Sequence, residues 1–489
     1  MAVETMLAIA LAVYLAIMFG ISLAVRDKIH DPEDFIVAGR RLNLPLAWAS
    51  LFATWFGAGS LLASADEVRV EGLRAVAMEP LGAGACLILA GIFFARPMWE
   101  AKLLTLADYY RQRFGRRAEI WFAVGTITYF GWIAAQLVGM AGILTVFFDW
   151  PAWAGILACA AVALAYTLIG GMWSVTLTDA AQLTILIIGL VAVVINVLGG
   201  LGGDAGVLHG LTVLADRVTP ERLVLVPGER QGELFQWINL LVIGSLGNLA
   251  GADLMQRVFS CRSARTAQYA CIMAGTAYIV VGVAPALLGL AASVLLPEDV
   301  TQTVLPMLAK QVLGPGLVVL FVLALMSAVL STLDSAMLIA ASVFSLNVLR
   351  PHISEERMST MVLTRWCVVA TTVISVAFAF GGESAFSLLE GSYALTLAGP
   401  FVALAFGVYW KRGGERAAVA SLVLGYAITA AEMFIPDLED WVGLGVPIPL
   451  LALAVSVAAY VTIALTTPVP PVTPSGSAPV VVPDVGTSR

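Results

Sequence analysis

Thirteen apolar stretches, each about twenty residues long, recur along the chain, centred near residues 14, 54, 85, 134, 161, 188, 243, 281, 327, 371, 398, 424 and 456. Stretches of that length cross the hydrocarbon of a bilayer as α-helices, because a helix satisfies its backbone polar groups within the segment. No soluble surface could be built around so many of them. Of 489 residues 60% are hydrophobic and 12% charged, against about 25% charged in soluble domains, and the mean hydropathy is +0.93. The chain therefore reads as an all-α membrane protein with about 13 transmembrane helices. The first stretch, Met1 to Val25, has no basic leader and no small-residue cleavage site, so it reads as a retained helix.

The residues between the stretches give an orientation. Numbering the connections in chain order, the odd ones carry 19 Lys and Arg and the even ones six. Cytoplasmic loops collect basic residues. The odd loops are thus expected inside, with the N-terminus outside and the C-terminus in the cytoplasm of a cell (plasma or inner) membrane. Residues 1–466 form one transmembrane domain on this reading. The remainder, 467–489, is rich in Pro, Val and Ser with almost no charge, and is expected to be a disordered cytoplasmic tail.

Several function classes drop out. A net charge of -7 offers no basic field for nucleic acid. The five cysteines are scattered and the three histidines fall between apolar stretches, so no metal-ligand spacing, haem site or intramembrane imidazole relay appears. Neither HExxH nor GxSxG occurs, which argues against a membrane-embedded enzyme. A sensor is disfavoured by the short tail. No organic cofactor and no obligate protein partner is implied; the partners expected are a bilayer, a small solute and a coupling ion.

Two stretches are interrupted by glycine in comparable ways: the second, WASLFATWFGAGSLLAS (Trp48 to Ser64), and the seventh, INLLVIGSLGNLAGADLMQRV (Ile238 to Val258). Paired Gly-broken segments at corresponding places point to a transporter site, where unwound backbone offers carbonyls to an ion; close packing through small residues is the bland alternative. These two segments open helices 2–6 and 7–11, two sets of five. The ninth stretch holds a single carboxylate, Asp334, between Lys310 and Arg350. Ala328, Ser331, Thr332 and Ser335 fall on one helical stripe. Adjacent hydroxyls plus carbonyls from a broken helix suit a hard monovalent cation, although any one hydroxyl could instead bond back to its own helix. Asp179 reads as a helix N-terminal carboxylate or a site residue, while Asp253, Glu390 and Glu432 read as interfacial. Glu79, followed by Pro80, has no basic neighbour and needs a cavity, a distant Arg or a cation. Trp55 lies inside the broken stretch, where an interfacial role is least natural, and a cage for an organic cation is the sharper reading.

Four stretches, DFIVAGRRLNLPLAWASLFATWFGAGS, YTLIGGMWSVTLTDAAQL, QRVFSCRSARTAQ and SAVLSTLDSAMLIAASVFSLNVL, give the chain a resemblance to the sodium/solute symporter family over about residues 3 to 466. The resemblance implies two inverted five-helix repeats with flanking helices, an extracellular N-terminus and sodium as coupling ion. It also implies sodium ligands from the backbone of Ala53, Phe56 and Ala328 and the hydroxyls of Ser331 and Thr332, with Asp179 in support. The wording ATWFGAG, FFARPM, GGMWSVTLTD and MSAVLSTLDSA looks most like the branch that contains high-affinity choline transporters. Trp55 and Trp132 match two aromatic positions of that branch's cage, whereas the other two hold Ala83 and Gly251. The expectation is a sodium-coupled symporter for a small organic solute such as a quaternary amine, with Trp55, Glu79 and Trp132 at the solute. The alternatives are a monocarboxylate or amino acid as solute, and proton coupling through Asp334 or Glu79.

Overall fold

The computed structural model describes residues 3–25, 28–228, 231–300, 303–381, 384–435, 438–443 and 445–467, and among them every extended element is helical. Apart from Thr467, the expected tail lies outside the described residues. Among the described residues nine helices are long and apolar enough to cross a membrane, or ten if one pair bent by 49° counts as a single span; Leu44–Trp55 and Ala152–Ala165 are shorter apolar helices. The thirteen stretches therefore do not map one to one onto long helices. Glycines break the second and seventh stretches and kink the junction between the fifth and sixth.

The elements that build the site are α1 (Val3–Ala24), α2 (Leu44–Trp55), α3 (Thr128–Phe148), α4 (Ala152–Gly202), α5 (Gln231–Leu246), α6 (Ala252–Ser260), α7 (Ala264–Leu295), α8 (Pro315–Val343) and α9 (Ala385–Thr396). Helix α8 is the centre of the molecule. From Ala324 to Val343 every residue of it is buried, and its most extensive helix contact is with α4. Helix α1 lies at the rim, with Ile9, Val13 and Ile17 exposed at i, i+4, i+8 spacing as a lipid-facing stripe requires.

Helix α2 begins where the Asn43 side chain accepts the Leu46 N–H and Pro45 occupies the first turn. It stops at Phe56, whose ψ of 62° swings its carbonyl away from the helix axis. Gly57 follows because nothing larger fits: a Cβ there would lie 2.3 Å from Thr332 Oγ1 and 2.7 Å from Gln136 Oε1. The break frees a backbone donor, and the Ala58 N–H is taken by Gln136 Oε1 at 2.7 Å. In the seventh stretch a 3₁₀ turn, Gly247–Ala250, and an extended Gly251 separate α5 from α6. Helix α4 turns at Gly171 (φ 50°, ψ −152°), a conformation only glycine adopts freely.

Asp179 lies eight residues beyond that turn, inside α4 and fully buried. It therefore stands well inside the helix that follows Gly171 and is not its N-terminal carboxylate. Asp253 is not interfacial either. It is 4% exposed, since the bend before α6 carries it into the protein interior, whereas Glu390 and Glu432 are half-buried.

Candidate functional site

The end of α2 meets the middle of α8 through four oxygens. Ser331 Oγ lies 2.8 Å from the Ala53 carbonyl and 2.8 Å from that of Ala328. Thr332 Oγ1 lies 3.5 Å and 3.2 Å from the same two carbonyls. Phe56 closes α2 three residues after Ala53, and its neighbour Gly57 presses against Thr332. Ala53, Ala328, Ser331 and Thr332 are thus brought together, with Phe56 at the adjoining helix end. Each hydroxyl donates to a carbonyl here, yet rotation of its O–H would turn oxygen lone pairs inward beside those of the carbonyls. That is an all-oxygen donor set for a hard cation.

Behind this cluster sits a buried charged layer. Ser50 Oγ donates to Asp179 Oδ2 at 2.6 Å, and Arg257 Nη2 lies 3.9 Å from the same oxygen. Arg257, on α6, also donates to Ser335 Oγ at 2.6 Å and to the Ser50 carbonyl at 3.4 Å. Ser335 links the two layers through the Ser331 carbonyl at 2.8 Å and Thr54 Oγ1 at 3.2 Å. Asp334, buried beside it, receives the Ser335 hydroxyl at 3.3 Å. A lone guanidinium facing two buried carboxylates is costly unless hydrogen bonds complete the network. Asp179 accordingly stands one layer back from Ala53, where it holds Ser50 on the helix that presents the carbonyl.

A narrow pocket lies on the other side of the α2 break, with a cavity volume of about 30 Å³. Trp55, Tyr129, Trp132, Gly251, Asp253 and Tyr393 are among its walls. Tyr129 and Trp132 meet edge to face, with centroids 5.5 Å apart and planes at 63°. Trp55 Nε1 donates to Asp253 Oδ2 at 2.6 Å, and the Tyr129 hydroxyl to Asp253 Oδ1 at 2.5 Å. The two expected aromatics, Trp55 and Trp132, therefore share one cavity, and Gly251 lines it, while Ala83 is buried elsewhere. Glu79 is 1% exposed and is not part of the wall. It accepts from Tyr278 at 2.7 Å, Ser60 at 3.1 Å and Tyr393 at 3.3 Å, so it touches the pocket only through the Tyr393 hydroxyl.

Sequence reasoning passed over Gln136, Tyr278 and Tyr393 and misplaced Asp253. For Gln136 a signal existed: Tyr129, Trp132 and Gln136 stand at i, i+3, i+7, one face of α3. Tyr278 and Tyr393 come from helices distant in sequence, and only the fold shows that both hydroxyls end on Glu79.

A family model described as the sodium:solute symporter family matches residues 35–425. The human high affinity choline transporter 1 is 30% identical over 366 residues, covering 71% of this chain but only 62% of that protein. The Caenorhabditis elegans high-affinity choline transporter 1 is 25% identical over 420 residues, 81% of this chain and 70% of the relative. The sodium/glucose cotransporter of Vibrio parahaemolyticus is 25% identical over 463 residues, 87% of this chain and 84% of the relative. Among solved structures, the substrate-bound outward-open state of a Na+-coupled sialic acid symporter superposes with a TM-score of 0.78 at 19% identity, over 96% of this chain and 99% of that one. A nucleobase-cation-symport-1 family transporter superposes at 0.59 and 16% identity, over 90% and 97%. At those identities the superpositions speak for the fold. The sequence match runs from before the α2 break to beyond α9 and so takes in both broken helices, the oxygen cluster and the pocket: this multi-pass membrane protein belongs to the sodium:solute symporter family.

Proposed function

We propose that the protein is a sodium-coupled symporter that imports a small organic solute by alternating access, with a quaternary amine such as choline as the solute. The observation that carries this reading is the convergence of the Ser331 and Thr332 hydroxyls on the Ala53 and Ala328 carbonyls, four oxygens within 3.5 Å across a helix break. Sodium is held there by these groups and the Phe56 carbonyl, with Asp179 steadying α2 from behind. The solute occupies the pocket walled by Trp55 and Trp132, and Glu79 sets the orientation of Tyr393 at its edge. The choline relatives support the solute, and the aromatic faces supply the means of holding it.

The architecture we propose is thirteen helices within residues 1–466, with helices 2–6 and 7–11 as inverted repeats, each opening on one of the two broken stretches. The loop charges put the N-terminus outside and the C-terminus in the cytoplasm. The test is uptake of labelled choline into proteoliposomes under an inward sodium gradient. Uptake that collapses when potassium or lithium replaces sodium supports the reading. Uptake driven equally by a proton gradient without sodium refutes the coupling ion.

A further inference from the structure

Asp253 is the sole charged residue among those that wall the pocket. Its carboxylate is buried, and the groups that bond it are neutral: the indole N–H of Trp55 and the phenol of Tyr129. Among the described residues none of the ion pairs includes it. Arg257, one turn further along α6, touches only the Asp253 main-chain carbonyl, at 3.2 Å, and directs its guanidinium to Ser335 and Asp179. Neutral donors fix the rotamer of a carboxylate without cancelling its charge, and each oxygen keeps a lone pair to spare. A buried carboxylate held by neutral donors alone keeps its charge available to a cation in the pocket.

Gly251 gives this arrangement its room. A side chain there would bring its Cβ within 2.7 Å of Asp253 Oδ1, so an aromatic at 251 and this carboxylate pose exclude one another.

We infer that Asp253 is the charge-recognising residue of the solute pocket, and that the solute is a small organic monocation bearing no carboxylate of its own. The inference rests on the symporter reading above and names its solute class. A monocarboxylate would set its charge against Asp253, and like-charge juxtaposition is strongly disfavoured. A zwitterion such as proline or betaine would bring a carboxylate into a pocket whose walls hold no Lys, Arg or His to receive it. A monocation satisfies both halves of the wall, since the rings of Trp55, Tyr129 and Trp132 present π faces or edges and Asp253 supplies the counter-charge. Asn248, Thr126 and Thr396 line the same cavity and offer hydrogen bonds to a hydroxyl tail.

The test is equilibrium binding by calorimetry to the purified full chain, in sodium and again in potassium, with choline, its uncharged isostere 3,3-dimethylbutanol, betaine, proline and lactate. The expectation is that choline binds at least tenfold more tightly than the isostere, about 1.4 kcal/mol. Asp253→Asn should lower choline affinity at least tenfold while leaving the isostere's within about threefold, and that retained binding also shows that the variant is folded. Asp253→Glu should recover part of the choline preference. An Asp253→Asn protein that keeps the wild-type ratio of choline to isostere overturns the inference. Tighter binding of lactate, proline or betaine than of choline by the wild type overturns it too. Choline binding that is lost in Asp253→Asn but indifferent to sodium supports the assignment of Asp253 and refutes sodium coupling, so the two failures are distinguishable.

Discussion

Removing the hydroxyls of the oxygen cluster should weaken sodium and leave the rest of the cycle in place. Ser331 Oγ is 2.8 Å from both carbonyls of the cluster and Thr332 Oγ1 3.2 and 3.5 Å from them, so each hydroxyl is one of about five oxygens that an ion there would meet. A hydrogen-bond-type contact to a charged group contributes about 1.5–3 kcal/mol. Its loss from Ser331→Ala or Thr332→Ala should therefore raise the half-saturating sodium concentration by about ten- to a hundredfold. Thr332→Ala should fall at the lower end, because its oxygen lies farther from both carbonyls. The control is Ser345→Ala, since Ser345 lies past the end of α8 and bonds the Ser342 carbonyl at 3.1 Å and Thr364 at 2.8 Å. The assay is initial solute uptake by proteoliposomes with sodium replaced stepwise by potassium. An unchanged sodium dependence in the Ser331→Ala/Thr332→Ala double variant, with normal thermal melting, would show that the cluster is ordinary helix packing.

Gly57→Ala should abolish sodium-driven uptake, because its Cβ would lie 2.3 Å from Thr332 Oγ1; Gly200→Ala, with no atom within 4 Å, should transport normally. Gln136→Leu orphans the buried Ala58 N–H and should cost about 1–3 kcal/mol, seen as a lower melting temperature, while Gln136→Glu keeps the acceptor and most of the stability. A reporter fused after Arg489 should be active in the cytoplasm, and activity on the outer face would overturn the loop-charge orientation. Sodium and solute should each raise the other's affinity by the same factor, of order 5- to 150-fold; calorimetric titrations in which neither ligand changes the other's affinity contradict coupling between the two places.

The membrane class and the oxygen cluster were legible because their signals are local. Charge is scarce along the whole chain, and Ala328, Ser331 and Thr332 repeat at helical spacing on one segment. The breaks at Gly57 and Gly251 were legible for the same reason, as glycines inside apolar runs. Legibility ended where a contact joins distant segments. Asp253 stands near the end of its apolar stretch and looks interfacial in sequence; it is the 49° bend before α6 that brings it inside. Glu79 lacks a charged partner in sequence and still lacks one in space, because three hydroxyls from residues 60, 278 and 393 satisfy it. Of the two readings of Asp179, the N-terminal one does not hold. The new helix starts at the Gly171 break, eight residues before Asp179, rather than at Asp179 itself.

The two candidate binding places share one short piece of backbone, and that sharing supplies a physical route for coupling. Ala53 turns its carbonyl to Ser331 and Thr332 on α8, while Trp55, two residues on, turns its indole to Asp253 on α6. Around them the broken backbone is held further: Gln136 of α3 takes the Ala58 N–H, and the hydroxyls of Tyr278 on α7 and of Ser60 lie 3.0 Å and 3.2 Å from the Trp55 carbonyl. A helix end fixed by so many directional bonds cannot drift continuously and is held in discrete arrangements. An ion that draws in the Ala53 and Phe56 carbonyls would fix the rotation of the α2 terminus and hence where the Trp55 ring and its Asp253 partner stand. A solute seated against Trp55 and Asp253 would press the same terminus toward the arrangement the ion prefers. Neither ligand needs to touch the other. Each would act on one helix end, and two arrangements of that end with different affinities would supply a reciprocal coupling free energy; the glycines at 57 and 251 let α2 and α6 approach the residues that hold it in place.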